Sequence, residues 1–237
     1  MTNLANDVAM CTLLAEAPLP VFQQHCPSAD IESFAQDSVI YQQGQRLEYL
    51  YCVLDGQIKV ARLSRDGAEF TTGLLTNGEL FGAPIHDPAA FQAVESATVK
   101  GAAKVLRIRV NEFRTLLLHQ PAVGLRVVEQ LDRRRLQMER RLECFAFART
   151  ESRLVETLRE LSGGFEARCE HGFGQHIQLS QQELADLVGA TRPVVSTILN
   201  RLRKEGVLGY TREYVCIRGI EAIEQMLGLV PHPPTVR

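Results

Sequence analysis

The chain has 237 residues, 45% hydrophobic and 23% charged, which is enough apolar material for one large core or two small ones without staples. A formal charge of -2 excludes nucleic-acid binding through global basicity, so any phosphate contact must come from a local patch of lysine and arginine. The six cysteines, at 11, 26, 52, 144, 169 and 216, form no C-x-x-C pair and are expected as reduced thiols of a cytoplasmic protein.

The opening MTNLANDVAMCTLLAEAPLP lacks a basic n-region and carries acidic residues, so it is not expected to be a secretory signal. No apolar run approaches the roughly 20 residues that cross a bilayer, so no membrane partner is expected. Over residues 31–110 short strands are expected. Leu50–Leu54 is a compact apolar run, and Ile58, Val60 and Arg62 alternate with Lys59 and Ala61. Asp55–Gly56, Asp66–Gly67 and Asn77–Gly78 supply the positive φ of tight hairpin turns. The segment therefore reads as an antiparallel β-domain.

At Pro121 the pattern changes. Proline can open a helix, and no glycine or proline follows from Leu125 to Phe147. Val128, Leu131, Met138, Leu142 and Phe145 fall at alternating three- and four-residue spacing, with Arg135 as the one polar seam position. This heptad stripe over 121–148 reads as a homodimer interface. The competing reading is a helix lying on its own β-domain.

From Thr150 a further helix is expected, with Leu154, Val155, Leu158 and Leu161 apolar, closed by Gly163–Gly164. A short hairpin is expected over 165–178. Residues 180–202 then read SQQELADLVGATRPVVSTILNRL. Ser180 and Glu183 have capping-box spacing, Gly189 suits a left-handed turn, Thr191 suits an N-cap, and Pro193 suits a first helical turn. Ala185 is small where two helices approach, and Val195 and Ile198 are expected to face the first helix. Two short helices joined in this way make a helix-turn-helix.

The side chains left outward are Thr191, Arg192, Val194, Ser196, Thr197, Asn200 and Arg201. Arginine can bond guanine bidentately, asparagine can bond adenine, and valine can touch a thymine methyl. Arg203, Lys204 and Arg212 would add phosphate contacts. An ordinary helical hairpin with a solvated polar face shares the length but not this conjunction. LGYTREYVCIRG reads as a second hairpin, a wing, followed by a short helix near 219–227 and a disordered tail.

The order of β-domain, long helix and winged helix-turn-helix resembles the cyclic-AMP receptor protein / fumarate-and-nitrate-reduction regulator family of bacterial transcription factors. Four stretches carry the likeness: YCVLDGQIKVARLSRDGAEFTTGLLTNGELFG, VNEFRTLLLHQP, ESRLVETLREL and LSQQELADLVGATRPVVSTILNRLRKEGVL. The resemblance implies an α+β fold with three parts. Residues 1–120 form an effector-sensing β-roll like a cyclic-nucleotide-binding jelly roll, 121–148 a dimerisation helix, and 149–237 a winged helix-turn-helix. It also implies a dimer on palindromic double-stranded DNA, with half-sites about 34 Å apart, and RNA polymerase as a further partner. An effector would shift the dimer between two arrangements.

Family members that bind cyclic nucleotides carry an acidic residue after a G-x-x-x-G turn and an Arg-Ser/Thr-Ala triplet downstream. Here Gly78–Gly82 is followed by Ala83, and the triplet is Glu95-Ser96-Ala97. A carboxylate facing a cyclic phosphate is repulsive, so cyclic AMP and cyclic GMP are disfavoured. Glu79 reads as a turn residue. An iron–sulphur cluster is also disfavoured, because Cys11 and Cys26 stand alone at the front.

Haem with His86 or Cys52 as ligand stays open, as do a thiol switch through Cys11, Cys26 or Cys144, another small molecule, and no effector at all. The candidate effector pocket comprises Phe81, Ala83, His86, Glu95, Ser96, Met138 and Glu139. No nucleophile–base pair, metal-spaced cluster or phosphate loop is present, so no catalytic or metal-binding residue is expected and an enzyme with a β-barrel site is the weaker reading. A cyclic-nucleotide-binding module coupled to another activity is the other alternative.

Overall fold

The computed structural model describes residue 14 and residues 17–85, 92–162, 175–211, 214–217, 222, 223 and 225. The chain divides into two compact units, residues 1–138 and 139–237.

Among its described residues the first unit has helix α1 (Leu19–His25) and six strands: β1 (Asp30–Phe34), β2 (Val39–Tyr41), β3 (Tyr49–Leu63), β4 (Glu69–Leu75), β5 (Leu80–Gly82) and β6 (Ser96–Arg109). The sheet order is β1-β6-β3-β4, with β2 added to β6 and β5 to β3, and every pairing is antiparallel. Two long strands, β3 and β6, therefore form the spine, in place of a run of uniformly short strands.

Asp66–Gly67 turns β3 into β4 and Asn77–Gly78 turns β4 into β5, both glycines having positive φ, as expected. Asp55–Gly56 does not turn. It lies inside β3, where the register against β6 shifts between Val53, Asp55 and Gln57. Gly56 has φ +90°, and a Cβ there would meet Ala102 O at 2.3 Å. The pair supplies positive φ for a bulge, which bends the strand and lets β6 approach closely.

The core of this unit collects Val53, Ile58, Val99, Val105, Leu106 and Ile108 from the two spine strands, with Phe22 from α1. Helix α2 (Val110–His119) adds Val110, Phe113 and Leu116 at three-residue spacing, all almost wholly buried. Burying each such side chain contributes roughly 1.5–3 kcal/mol.

Helix α3 (Pro121–Phe147) is 27 residues long and opens on proline. It presents two stripes. Val123, Val127 and Gln130 are buried on the first unit, while Val128, Leu131, Met138 and Leu142 are 56–66% exposed. The face packed on the first unit and the exposed heptad stripe are thus different faces of the helix.

The second unit holds α4 (Thr150–Ser162), β7 (Gln175–Ile177), α5 (Gln181–Val188), α6 (Arg192–Lys204), β8 (Leu208–Tyr210) and β9 (Val215–Ile217). Leu154, Val155, Leu158 and Leu161 of α4 are buried, as their spacing requires. The expected wing forms, with Tyr210 opposite Val215. The hairpin expected over 165–178 is described only from 175, and there β7 pairs with β9, completing a three-stranded sheet β7-β9-β8.

Of the helix expected near 219–227, residues 222, 223 and 225 are described and helical. Arg212, His86, Cys11, Cys169 and the tail lie outside the described residues. Cys216 is disulfide-bonded, which corrects the expectation of six reduced thiols. No helix among the described residues is long and apolar enough to cross a membrane.

Candidate nucleic-acid interface and effector site

Helix α5 starts on a complete capping box. Glu183 N donates to Ser180 Oγ at 3.2 Å, and Ser180 N donates to Glu183 Oε2 at 2.8 Å. Gly189 closes it in the left-handed region, φ 59° and ψ 49°. A side chain there would be strained by that φ and would also meet the Phe145 ring, 2.3 Å from the ideal Cβ. After three linking residues, α6 begins at Arg192 with Pro193 in its first turn, where the missing N–H costs little.

Thr191 holds the N-cap position by backbone conformation, but its side chain makes no capping bond. That corrects the expected capping role and leaves the hydroxyl outward. The stripe that α6 buries is Val195, Leu199 and Leu202. Ile198, expected to face α5, is only half-buried, whereas its neighbour Leu199 is buried. A period of 3.6 residues puts Leu199, four after Val195, closer to the buried face than Ile198.

Opposite that stripe, Thr191, Arg192, Thr197, Arg201 and Lys204 are exposed, Ser196 and Asn200 are half-buried, and Val194 is 44% exposed. Three of these side chains already have protein partners. Thr197 Oγ1 donates to Pro193 O at 2.9 Å, leaving its lone pairs as acceptors. Arg201 is paired with Glu151 of α4. Asn200 Oδ1 accepts from Tyr210 Oη at 2.7 Å and from Arg203 Nη2 at 3.1 Å, and the Arg203 guanidinium lies over the Tyr210 ring at 4.9 Å. A bidentate adenine contact by Asn200 would compete with both bonds.

In the β-roll, Phe81 and Ala83 are buried, Phe81 in an aromatic group with Tyr41 and Tyr51. Burial, then the nearby charge of Glu95 and the ring of Tyr51, holds the Tyr41 phenol well above its ordinary range, against the Gly82 N–H and Arg134. Burial also raises the Glu95 carboxyl, opposed by the guanidiniums of Arg62 and Arg134 and by a hydrogen bond from Thr72. Ser96 Oγ accepts from Gln43 N at 2.9 Å.

Glu79 is a turn residue, as expected, and something more. Its Oε2 accepts from Thr76 N at 2.7 Å, and its Oε1 from Arg134 Nη2 of α3 at 3.2 Å. One turn earlier on α3, Gln130 Nε2 donates to Gly78 O at 3.3 Å. Sequence reasoning does not bring Arg62 and Arg134 to the pocket, because both lie outside the G-x-x-x-G turn and triplet where the resemblance places the phosphate contacts. The signal that could have found Arg134 is its four-residue spacing from Gln130, on the buried side of an otherwise charged helix.

Met138 and Glu139 are both exposed on α3. Arg135 folds back along its own helix onto Asp132 Oδ1, at 2.9 Å from Nη2. Phe145, expected in the dimer seam, is 42% exposed and lies 5.4 Å from the Arg153 guanidinium. Cys52, 0% exposed in β3, is a core thiol. Burial, assisted by Glu112, pushes the Cys26 thiol up to about 12, and burial also raises the Cys144 thiol, which disfavours the thiolate at both. Among the described residues no group of three or more metal-ligating side chains converges.

The fold and these two sites define a transcription regulator made of a nucleotide-binding-type β-roll and a DNA-binding unit. A family model described as a cyclic nucleotide-binding domain matches residues 31–120, and one described as a Crp-like helix-turn-helix domain matches residues 152–226. The chain belongs to the cyclic-AMP receptor protein / fumarate-and-nitrate-reduction regulator family. It is 26% identical over 205 residues to the global nitrogen regulator of Synechocystis sp., covering 82% of this chain and 87% of that one. It is 26% identical over 202 residues to the cAMP-activated global transcriptional regulator CRP of Pasteurella multocida, covering 84% and 93%. A solved CRP-family transcriptional regulator from Thermus thermophilus superposes with a TM-score of 0.66 at 25% identity, covering 83% of this chain and 96% of that one.

Proposed function

We propose that the chain is a homodimeric, sequence-specific DNA-binding regulator whose β-roll does not answer to cyclic AMP. The observation that carries the DNA reading is the face of α6, where Arg192, Val194 and Thr197 stand outward beside the exposed cation Lys204. These groups suit base edges and phosphates, and the capped, glycine-broken turn before them suits entry into a major groove. The dimer reading rests on the exposed apolar stripe Val128, Leu131, Met138 and Leu142. An unpaired seam of this length favours a second copy of the same helix.

Against cyclic AMP stands Glu95. The arginine that would pair a cyclic phosphate is replaced by a half-buried carboxylate, and Ala83 removes the acid that would bond a ribose hydroxyl. The nearby guanidiniums of Arg62 and Arg134 already face Glu95, and Arg134 also binds Glu79. The residues present do not fit that ligand. Another small molecule, or control without a ligand, agrees better with this pocket, and contact with RNA polymerase would follow from the regulator role.

The test is selection of duplexes by the full chain from a randomised pool, repeated with and without cyclic AMP. The expected result is a two-fold symmetric consensus whose affinity does not change with cyclic AMP. Selection of no consensus would remove the DNA reading, and a large cyclic-AMP response would remove the effector reading alone.

A further inference from the structure

The guanidinium of Arg153 in α4 binds three backbone carbonyls and a hydroxyl at once. Its Nε donates to Val188 O at 3.0 Å, and its Nη1 to Ala148 O at 3.3 Å. Its Nη2 donates to Thr150 Oγ1 at 3.2 Å and to Gly189 O at 3.4 Å. The Phe145 ring lies against the same group, 5.4 Å from the guanidinium carbon.

The acceptors belong to different elements. Ala148 follows the end of α3, Thr150 starts α4, and Val188 and Gly189 are the end of α5. Helix ends leave carbonyls without intrahelical partners, and a cation there is favoured by both hydrogen bonding and the helix dipole. One planar fork with five donors can serve them together, whereas a lysine ammonium is a single point at the end of a flexible stem.

Gly189 is the turn that aims α6. Phe145 occupies the space where a Cβ on residue 189 would stand, and Arg153 holds the Val188 and Gly189 carbonyls of the same turn. Phe145 and Arg153 thus both contact the turn that leads into the recognition helix.

We propose that Arg153 is the positioning residue that fixes the α5–α6 turn on the segment 145–150, so that the two recognition helices of a dimer meet both half-sites together. This rests on the reading of the chain as a dimeric DNA-binding regulator. Loss of the fork would leave each α6 intact but loosely aimed. Simultaneous engagement of two half-sites contributes about a hundredfold or more in affinity, and that gain vanishes when the geometry is not held.

The experiment uses the full chain as wild type, Arg153→Ala and Arg153→Lys. The probes are a duplex that the wild type selects from a randomised pool and the same duplex with one half-site scrambled. Hydrogen exchange of α5 and α6 is followed in parallel. Both variants are expected to lose about a hundredfold on the two-half-site duplex and little on the scrambled one, with α5 and α6 still protected.

Equal losses on both duplexes, or loss of protection in α5 and α6 for both variants, would make Arg153 a stabilising residue only and overturn the proposal. Wild-type affinity in Arg153→Lys would overturn the requirement for a fork. A wild-type chain that selects no duplex would bring down the DNA reading itself, which separates that failure from this one.

Discussion

Tyr210 Oη, on the first wing strand, donates a 2.7 Å hydrogen bond to Asn200 Oδ1 on the recognition helix. The bond joins the element that would read bases to the hairpin beside it. Arg203 strengthens the join from both sides, donating to the same oxygen and stacking on the phenol ring. A cation over a tyrosine face contributes about 0.5–1 kcal/mol at an exposed site.

Asn200→Ala and Tyr210→Phe are therefore expected to have similar effects: a loss of about 1 kcal/mol in DNA affinity, the scale of one hydrogen bond, spread evenly over all sequences. Arg192→Ala should behave differently, losing about 1–3 kcal/mol and relaxing the preference at one base pair. Binding of the variants to a panel of single-base operator changes distinguishes the two patterns. Relaxed preference at an adenine in Asn200→Ala would restore Asn200 as a base reader.

The half-buried Glu95 carboxyl has its pKa raised above the ordinary 4.5, with burial the largest cause. A carboxyl raised in the folded chain binds its proton more tightly there than in the unfolded chain. Its contribution is therefore favourable below the ordinary value and is lost as pH rises through the folded value. At neutral pH the buried charge is a liability despite Arg62, Arg134 and Thr72. Glu95→Gln is expected to slow hydrogen exchange in β6 at pH 7 and to leave it unchanged at a pH well below 4.5. Faster exchange at pH 7 would mean that the two guanidiniums need the carboxylate more than burial opposes it.

Local signals were legible in the sequence and distant ones were not. Ser180, Glu183 and Gly189 act within a few residues of one another, so the cap and the turn could be read directly. Asp55–Gly56 suggests a hairpin from sequence because positive φ serves a hairpin and a bulge equally, and only the register against β6 separates them. Ile198 and Leu199 differ by one position on a helix, and apolar content alone does not say which of two neighbours is buried.

The charges around Glu95 come from distant parts of the chain. Arg134 reaches Glu79 across 55 residues, and no spacing rule along the chain links a strand turn to a helix that returns over it. The same holds for Arg153, which binds Val188 O across 35 residues.

The exposed seam of α3 gives a direct prediction about assembly. Met138 is 56% exposed and Leu142 66% exposed, one turn apart. Met138→Glu with Leu142→Glu places two carboxylates in an apolar seam and, across a two-fold axis, opposite their own copies. Like charges there oppose association. Sedimentation of the double variant is expected to show a monomer with the far-ultraviolet signature of the wild type. A surviving dimer would move the interface away from this stripe.

Gly189 combines two constraints that a pair of variants can separate. Its φ of 59° lies in the left-handed region, where a Cβ costs roughly 1–2 kcal/mol. The same Cβ would stand 2.3 Å from the Phe145 ring, so the ring must also move. Gly189→Ala is therefore expected to destabilise the DNA-binding unit by more than the backbone cost alone. In the background of Phe145→Ala the space is open, and only the roughly 1–2 kcal/mol of backbone strain should remain. Denaturant unfolding of the four chains, followed by hydrogen exchange of α5 and α6, closes the cycle. Additive effects would show that the ring does not press on residue 189, and would also weaken the case that Phe145 and Arg153 together hold this turn.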